Sequence, residues 1–109
     1  MQSRYESSPK EVGQMNTQSL RDNFLVEGLM KEDEFSFLYS HYDRTILGTI
    51  VPLNKKMVLG NFDNLKAEYF LERRELGILN IGGKGTIELD DITFEPDRLD
   101  AVYVGMGTK

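Results

Sequence analysis

The sequence predicts an all-β fold, a sandwich or jelly roll of short strands with one short helix near the amino terminus. In several segments apolar and polar side chains alternate with a period of two, which is the spacing of a half-buried strand. Gly, Pro and Asp residues separate these segments at short intervals, as in all-β domains whose strands are joined by tight turns. The predicted strands are residues 35–39, 45–51, 56–59, 67–71, 76–81, 86–89, 92–94 and 101–104.

The amino-terminal part differs in composition from the predicted strands. Residues 1–16 are rich in Ser, Gln, Glu and Asn, and we expect an extended arm there. Thr17 is a suitable N-cap for the helix that follows, and Gly28 is expected to end it. The β domain is then predicted to span residues 17–109. The apolar residues that share one face of the helix are Leu20, Phe24 and Leu25.

Turn signals and the carboxyl end complete the prediction of the fold. Asp90-Asp91 is expected to join two strands in a two-residue hairpin. The last predicted strand is followed almost at once by Gly107-Thr108-Lys109, and we expect the sandwich to be incomplete at its carboxyl end. An uncovered edge of this kind favours pairing with another chain or segment.

Charge and cysteine content exclude several classes of function. The chain of 109 residues has a formal net charge of -5 and no cysteine. Its only adjacent basic pairs are Lys55-Lys56 and Arg73-Arg74, so the basic surface that nucleic-acid binding requires is missing. Without cysteine there is no disulfide, no thiolate metal site and no cysteine nucleophile.

No targeting or membrane segment is predicted from these residues. Residues 1–10 are polar and lack the apolar run of a signal peptide. No apolar stretch approaches the roughly 20 residues that a membrane-spanning helix needs. We therefore predict a soluble, cytoplasmic protein without a membrane partner.

His41 is the single histidine and the first candidate for a metal ligand. Asp43 lies two residues further on, and in a strand these two side chains would share one face. The pair could bind a metal or form a hydrogen bond, but a catalytic zinc site usually needs three protein ligands. A structural hydrogen bond at the end of a strand is the favoured role of His41.

A second candidate site combines two carboxylates with two guanidinium groups. Glu72 and Glu75 flank Arg73 and Arg74. Because Arg pairs well with carboxylates, this cluster could contact an acidic sugar. An ion-pair network on one strand or at an interface is the favoured alternative.

The glycine-rich segment at residues 82–86 is predicted to be a tight turn. A phosphate-binding loop requires Gly-Lys followed directly by Ser or Thr, and Gly85 interrupts that order here. No nucleophile-elbow motif is present either. The residues alone therefore predict no catalytic group.

Four segments carry a resemblance to a known family. They are LRDNFLVE at residues 20–27, YSHYDRTILGTIVP at 39–52, YFLERRELGILNIGGKGTI at 69–87 and DAVYVGMGTK at 100–109. Together they resemble the amino-terminal half of the 5-keto-4-deoxyuronate isomerases, also called 4-deoxy-L-threo-5-hexosulose-uronate ketol-isomerases. The resemblance covers most of the chain after residue 17.

The resemblance implies a fold, a reaction and partners. Members of that family look like two fused cupin-type sandwiches that assemble into homo-oligomers. It implies an intracellular enzyme of pectin degradation that interconverts a hexosulose uronate and its ketose isomer, an acidic sugar, by proton transfer. The partners implied for this chain are a carboxyl-terminal cupin domain and other subunits.

The family's zinc site implies that these residues form a degenerate cupin. The ligands lie in the carboxyl-terminal half, in a His-x-His-Glu-Arg-Arg-x-Glu pattern. The similar string here has Tyr69 and Leu71 in place of the histidines and Leu76 in place of the last glutamate. The resemblance therefore implies no metal and no catalytic residue in this chain.

Three functional interpretations follow. The first is a structural and assembly domain of the isomerase, with His41 and the 72–75 cluster as contacts to a partner domain or an anionic substrate. The second is a separate sugar-binding or oligomerisation module without catalysis. The third is a small metal-independent enzyme that uses His41, Glu72, Arg73 and Glu75.

Overall fold

Strands form most of the regular structure in the computed structural model, which describes all 109 residues. The chain divides into two compact units, Met1–Val58 and Leu59–Lys109. In the first unit the elements are β1 (Gln2–Arg4), α1 (Pro9–Val12), α2 (Thr17–Phe24), β2 (Phe35–Ser40) and β3 (Thr45–Ile50). In the second they are a 3-10 turn (Asp63–Leu65), β4 (Leu76–Leu79), β5 (Ile87–Leu89), β6 (Ile92–Phe94) and β7 (Ala101–Val104).

The first unit is built on a three-stranded sheet in the order β1-β2-β3. β2 and β3 are antiparallel, and Phe35 pairs with Ile50 at one end of their ladder. β1 runs parallel to β2, with Gln2 opposite Leu38. Leu38 is the one residue of this unit with less than one tenth of its surface exposed, at 4%. The sheet therefore has a narrow core under its central strand.

Gly48 allows a close approach between β2 and β3. It pairs directly with Phe37, whose ring lies over the glycine. A Cβ atom at Gly48 would stand 1.8 Å from Cδ1 of that ring, well inside any tolerable contact. An aromatic side chain laid across a strand glycine in this way fills the space that the missing side chain leaves.

The amino-terminal residues have more structure than the extended arm predicted for residues 1–16. The strand β1 is extended, but α1 forms one helical turn that begins with Pro9. Ser8 caps it in a capping box with Glu11, whose carboxylate accepts the Ser8 N–H at 3.1 Å. Ser, Pro and Glu at these positions are favourable helix-start residues.

The predicted helix is confirmed, with corrections at both ends. Asn16, not Thr17, is the N-cap, because its Oδ1 accepts the Ser19 N–H at 2.8 Å. The helix ends at Phe24, before Gly28. No residue of α2 is buried, and Phe24 remains 47% exposed. The apolar stripe is therefore only partly covered.

The second unit contains two small antiparallel sheets, β4-β7 and β5-β6. The hairpin predicted at Asp90-Asp91 is confirmed, with Ile92 pairing Leu89 and Asp90 in the left-handed region at φ 47°. That conformation is one that Asp tolerates better than most residues. The core residues of this unit are Leu65, Phe70, Leu71 and Val104.

Two of the predicted strands are wrong. Residues 56–59 and 67–71 have no strand structure. Lys66 adopts φ 50°, and the Glu72 N–H donates to the Tyr69 carbonyl at 3.2 Å, so the chain turns where a strand was expected. Phe70 and Leu71 are apolar because they fill the core from this turn. Their burial, rather than a strand, explains the apolar run.

The all-β class is confirmed at the level of strand content. The strands lie in three separate sheets, and the cupin jelly roll stays a prediction. None of the helices combines the length and the apolar character needed to cross a bilayer.

Candidate functional site

The His41 imidazole lies between two tyrosine rings in the turn that follows β2. It stacks on Tyr5 with ring centroids 4.4 Å apart and planes at 17°. Tyr39 meets it edge-on, with centroids 5.1 Å apart. The two rings meet just beyond the last paired residues of β1 and β2, Arg4 and Ser40, which Tyr5 and His41 directly follow. The imidazole therefore has packing partners rather than other metal-ligand side chains.

Further contacts tie the amino-terminal segment to the same turn. The His41 N–H donates to the Arg4 carbonyl at 2.9 Å and continues the ladder of β1. The Tyr42 hydroxyl accepts the Ser7 N–H at 2.9 Å and lies 3.3 Å from the Ser7 carbonyl. Through its backbone N–H and its ring, His41 thus takes part in holding the first residues against the sheet.

The strand geometry assumed for His41 and Asp43 is wrong. Both lie in the turn at residues 41–44, beyond the end of β2. Asp43 and Arg44 both have φ 53°, a left-handed conformation that turns the chain into β3. The turn at this point overrides the period-two pattern, so the two side chains do not share a strand face.

The cluster at residues 72–75 separates into individual contacts. Glu72 accepts the Glu68 N–H at 2.7 Å through Oε2, and its Oε1 lies 3.6 Å from Nη2 of Arg73. The Arg73 side chain is 69% exposed, so this ion pair is a weak surface contact. The strand placement of the predicted ion-pair network is wrong, because residues 72–75 precede β4, and the interface alternative stays a prediction.

Arg74 and Glu75 have different neighbours. The Arg74 guanidinium lies over the Phe70 ring at 5.9 Å, and its Nε is buried without a hydrogen-bond partner. Glu75 hydrogen-bonds the Tyr103 hydroxyl, and this bond raises the pKa of the Tyr103 phenol. The four side chains of the cluster therefore do not converge on one ligand position.

The positions that the resemblance matches to zinc ligands are Tyr69, Leu71 and Leu76, and the side chains there do not fit a metal. Leu71 is 5% exposed and packs in the core, and Leu76 pairs with Val104 at the start of β4. The Tyr69 ring is covered by the Lys109 ammonium at 4.9 Å. Leucine has no donor atom for Zn²⁺. No group of three or more His, Cys, Asp or Glu side chains comes together anywhere in the 109 residues.

Asp33 organises a loop that the sequence analysis missed. Its carboxylate accepts the Leu53 N–H at 2.8 Å and the Asn54 N–H at 3.0 Å. The Asn54 amide adds a bond of 2.8 Å to the second oxygen. The backbone and side-chain bonds from Asn54 lower the pKa of Asp33 below the usual value for an aspartate. A surface cavity of about 490 Å³ lies beside this loop and is lined by residues 33–35 and 55–58.

Asn80 has the same organising role in the second unit, and it also went unpredicted. Its Nδ2 donates to the carbonyls of Gly83, Pro96 and Asp97 at 2.9, 3.0 and 3.1 Å. Its Oδ1 accepts the Gly82 N–H at 3.1 Å. These bonds hold the predicted glycine turn and join it to a second turn. A lone Asn in an apolar strand was the only signal in the sequence.

Comparison with known proteins shows which class of enzyme the chain resembles. No protein-family model matches the chain. It is 51% identical to a ketol-isomerase of Formosa agariphila over 99% of its own length and 39% of the relative. The identity is 49% to the enzyme of the same name from Lachnoclostridium phytofermentans, over the whole chain and 40% of that relative. With the Escherichia coli O9:H4 enzyme it is 48%, over 87% of the chain and 35% of the relative.

The chain spans about 40% of the length of the curated relatives that it matches. These relatives carry the name 4-deoxy-L-threo-5-hexosulose-uronate ketol-isomerase. By sequence, nearly the whole chain is similar to a part of these isomerases, as the resemblance predicts.

Proposed function

We propose that this chain is the amino-terminal, structural and assembly portion of a 4-deoxy-L-threo-5-hexosulose-uronate ketol-isomerase. One observation carries the proposal. Identity of 51% extends over 99% of the chain, yet leucines occupy two of the three positions at which the family's zinc pattern has a ligand. High identity together with the lack of a metal donor set supports a structural role for this segment rather than a catalytic one.

The chemistry then belongs to the part of the enzyme outside these residues. The reaction interconverts the hexosulose uronate and its ketose isomer by proton transfer, and the zinc is held by ligands in the carboxyl-terminal portion. Residues 1–109 supply a framework against which that portion is oriented. Within that framework the Gly107 N–H donates to the Leu71 carbonyl at 2.8 Å, which joins the segment after β7 to the core.

His41 and the 72–75 cluster are the proposed contacts to a partner domain or to the acidic substrate. Arg73 supports the second role most directly, because its exposed guanidinium has only one weak ion pair. His41 supports the first, because it anchors the amino-terminal segment through Tyr5. We place the enzyme in the cytoplasm, in the degradation of pectin-derived uronates, and propose that it is a homo-oligomer.

The test uses a full-length chimera. The matching region of the Formosa agariphila isomerase is replaced by these 109 residues, and isomerase activity is measured with added zinc for the chimera and for the 109-residue chain alone. We expect an active chimera and an inactive isolated chain. Activity of the isolated chain would contradict the proposal and return His41, Glu72, Arg73 and Glu75 to the role of a catalytic centre.

A separate sugar-binding or oligomerisation module is the second candidate, and the exposed Arg73 is the observation that favours it. Calorimetric titration of the isolated chain with uronate sugars separates the two. Binding that is lost in Arg73→Ala but kept in Arg98→Ala, with no turnover in the chimera, would favour the module.

A further inference from the structure

We propose that the outer face of the β4-β7 sheet is a docking surface for polypeptide that corresponds to the part of the relatives outside these 109 residues. The outer face is defined by the side chains of Leu79, Ile81, Leu99 and Tyr103. The inference rests on the proposed function and assigns a surface to it.

Strand alternation separates the two faces of this sheet. Leu76 and Ile78 in β4 are partly buried, whereas Gly77 and Leu79 are exposed. In β7 Val104 is 2% exposed and Tyr103 is 68% exposed. The pairing of Leu76 with Val104 and of Gly77 with Tyr103 confirms that each face continues across both strands. One face therefore packs on the core, and the other has no cover.

Apart from the Tyr103 hydroxyl, which hydrogen-bonds Glu75, the uncovered face is apolar over a continuous area. Leu79 is 59% exposed and lies opposite Ala101, beside Tyr103. Ile81 and Leu99 extend the face at the same end, where the Leu99 N–H donates to the Asn80 carbonyl, and they are 53% and 67% exposed. Isolated exposed apolar residues are common, but a contiguous group on a regular element marks an interaction site.

The backbone of the sheet also favours a polypeptide partner. The sheet has only two strands, so β4 and β7 each have a second edge without a neighbouring strand. Unpaired edges invite strand addition, and a two-stranded sheet is marginally stable by itself. A small sugar would neither bury the apolar side chains nor pair with the backbone N–H and carbonyl groups along these edges.

The relatives supply an occupant of suitable size. Residues 1–109 span 39% of the Formosa agariphila enzyme, so most of that enzyme is polypeptide that lies outside the matched region. The occupant is therefore the remaining part of the enzyme.

Hydroxyl-radical footprinting of the isolated chain and of the full-length chimera tests this surface. Leu79 and Leu53 are matched probes of one residue type, at 59% and 62% exposure in different units. We expect Tyr103 and Leu79 to react several-fold more slowly in the chimera than in the isolated chain. Equal labelling of Tyr103 in both would overturn the inference, and so would protection in the isolated chain that grows with its concentration, since that would identify a second copy.

A charged substitution sharpens the test. Leu79→Asp in the chimera should restore the labelling of Tyr103, whereas Val58→Asp, at a position 77% exposed in the first unit, should leave it protected. If the chimera does not accumulate, the same footprint on the native Formosa agariphila enzyme, at the residues that align with Leu79 and Tyr103, decides the question. An active chimera with a fully labelled Tyr103 defeats only this inference. A protected Tyr103 in a folded but inactive chimera defeats only the proposed function.

Discussion

The contact between Gly48 and Phe37 makes a quantitative prediction about the three-stranded sheet. A methyl group added at Gly48 would lie 1.8 Å from Cδ1 and 2.2 Å from Cε1 of the Phe37 ring. Ordinary contact begins at 3.4 Å, so the nearer ring atom would have to move by about 1.6 Å. The ring also contacts Phe35, with centroids 5.7 Å apart, and withdrawal would disturb that pair.

We expect Gly48→Ala to lower the free energy of unfolding by about 1–2 kcal/mol. Forcing an extra carbon into a packed contact costs roughly 1–3 kcal/mol. Removing a glycine from the unfolded chain offsets this by about 0.4–1 kcal/mol. The steric cost therefore exceeds the entropic gain.

Urea denaturation followed by circular dichroism measures this difference, and the chain contains a matched control. Gly77 also lies in a strand, but a Cβ there would meet no atom within 4 Å. Gly77→Ala should leave the stability unchanged or raise it by up to about 1 kcal/mol. The pair of variants separates the steric effect from the general effect of replacing glycine.

A double-mutant cycle with Phe37→Ala completes the test. Once the ring is removed, Gly48→Ala should no longer destabilise, so the coupling energy should exceed about 1 kcal/mol. The reasoning is refuted if Gly48→Ala is as stable as the unsubstituted chain, or if its cost is the same with and without the Phe37 ring.

Three further predictions concern polar groups. Asn80→Ala should lower the free energy of unfolding by about 1–3 kcal/mol, because the Gly83 carbonyl and the Gly82 N–H lose their partner and the Pro96 and Asp97 carbonyls each lose one of two donors. Urea denaturation measures this change, and no change would show that water replaces these bonds. Because the pKa of Asp33 is lowered in the folded chain, its carboxylate contributes fully to stability above the usual carboxyl pKa of about 3.9. This contribution is lost as the pH falls through the lowered pKa of the folded state. Asp33→Asn should therefore flatten the acid limb of a curve of unfolding free energy against pH. An unchanged acid limb would contradict this. Glu75→Gln should return the raised pKa of Tyr103 toward its usual value, measured from the ultraviolet absorbance of the phenolate, and an unchanged titration would mean that the carboxylate is not its partner.

The strand pattern was predictable where the local signal agrees with the tertiary environment. Residues 92–94 and 101–104 were predicted with the observed bounds, because apolar β-branched residues are bounded there by clear turn residues. Residues 67–71 were predicted wrongly for a physical reason. A short apolar run reports burial, and burial can be reached from a turn as well as from a strand.

The candidate site shows the same division. The absence of zinc donors at Leu71 and Leu76 could be read directly from the residue types. The partners of His41 could not, since Tyr5 lies far from it in the sequence and reaches it only through the parallel pairing of β1 with β2. The different contacts of Glu72 and Glu75 were likewise not predictable. Glu75 bonds Tyr103, and only the antiparallel pairing of β4 and β7 brings that tyrosine beside it.

The sequence by itself determined the similarity to the isomerases, the strand-rich class and the lack of metal-donor atoms at Leu71 and Leu76, because each of these depends on residue types and their order. The tertiary structure decided which side chains meet. The polar residues Asp33 and Asn80 became the centres of their loops only when the chain brought backbone donors and acceptors around them. Such contacts depend on register and turn geometry, and these are set by packing of residues that are distant in sequence.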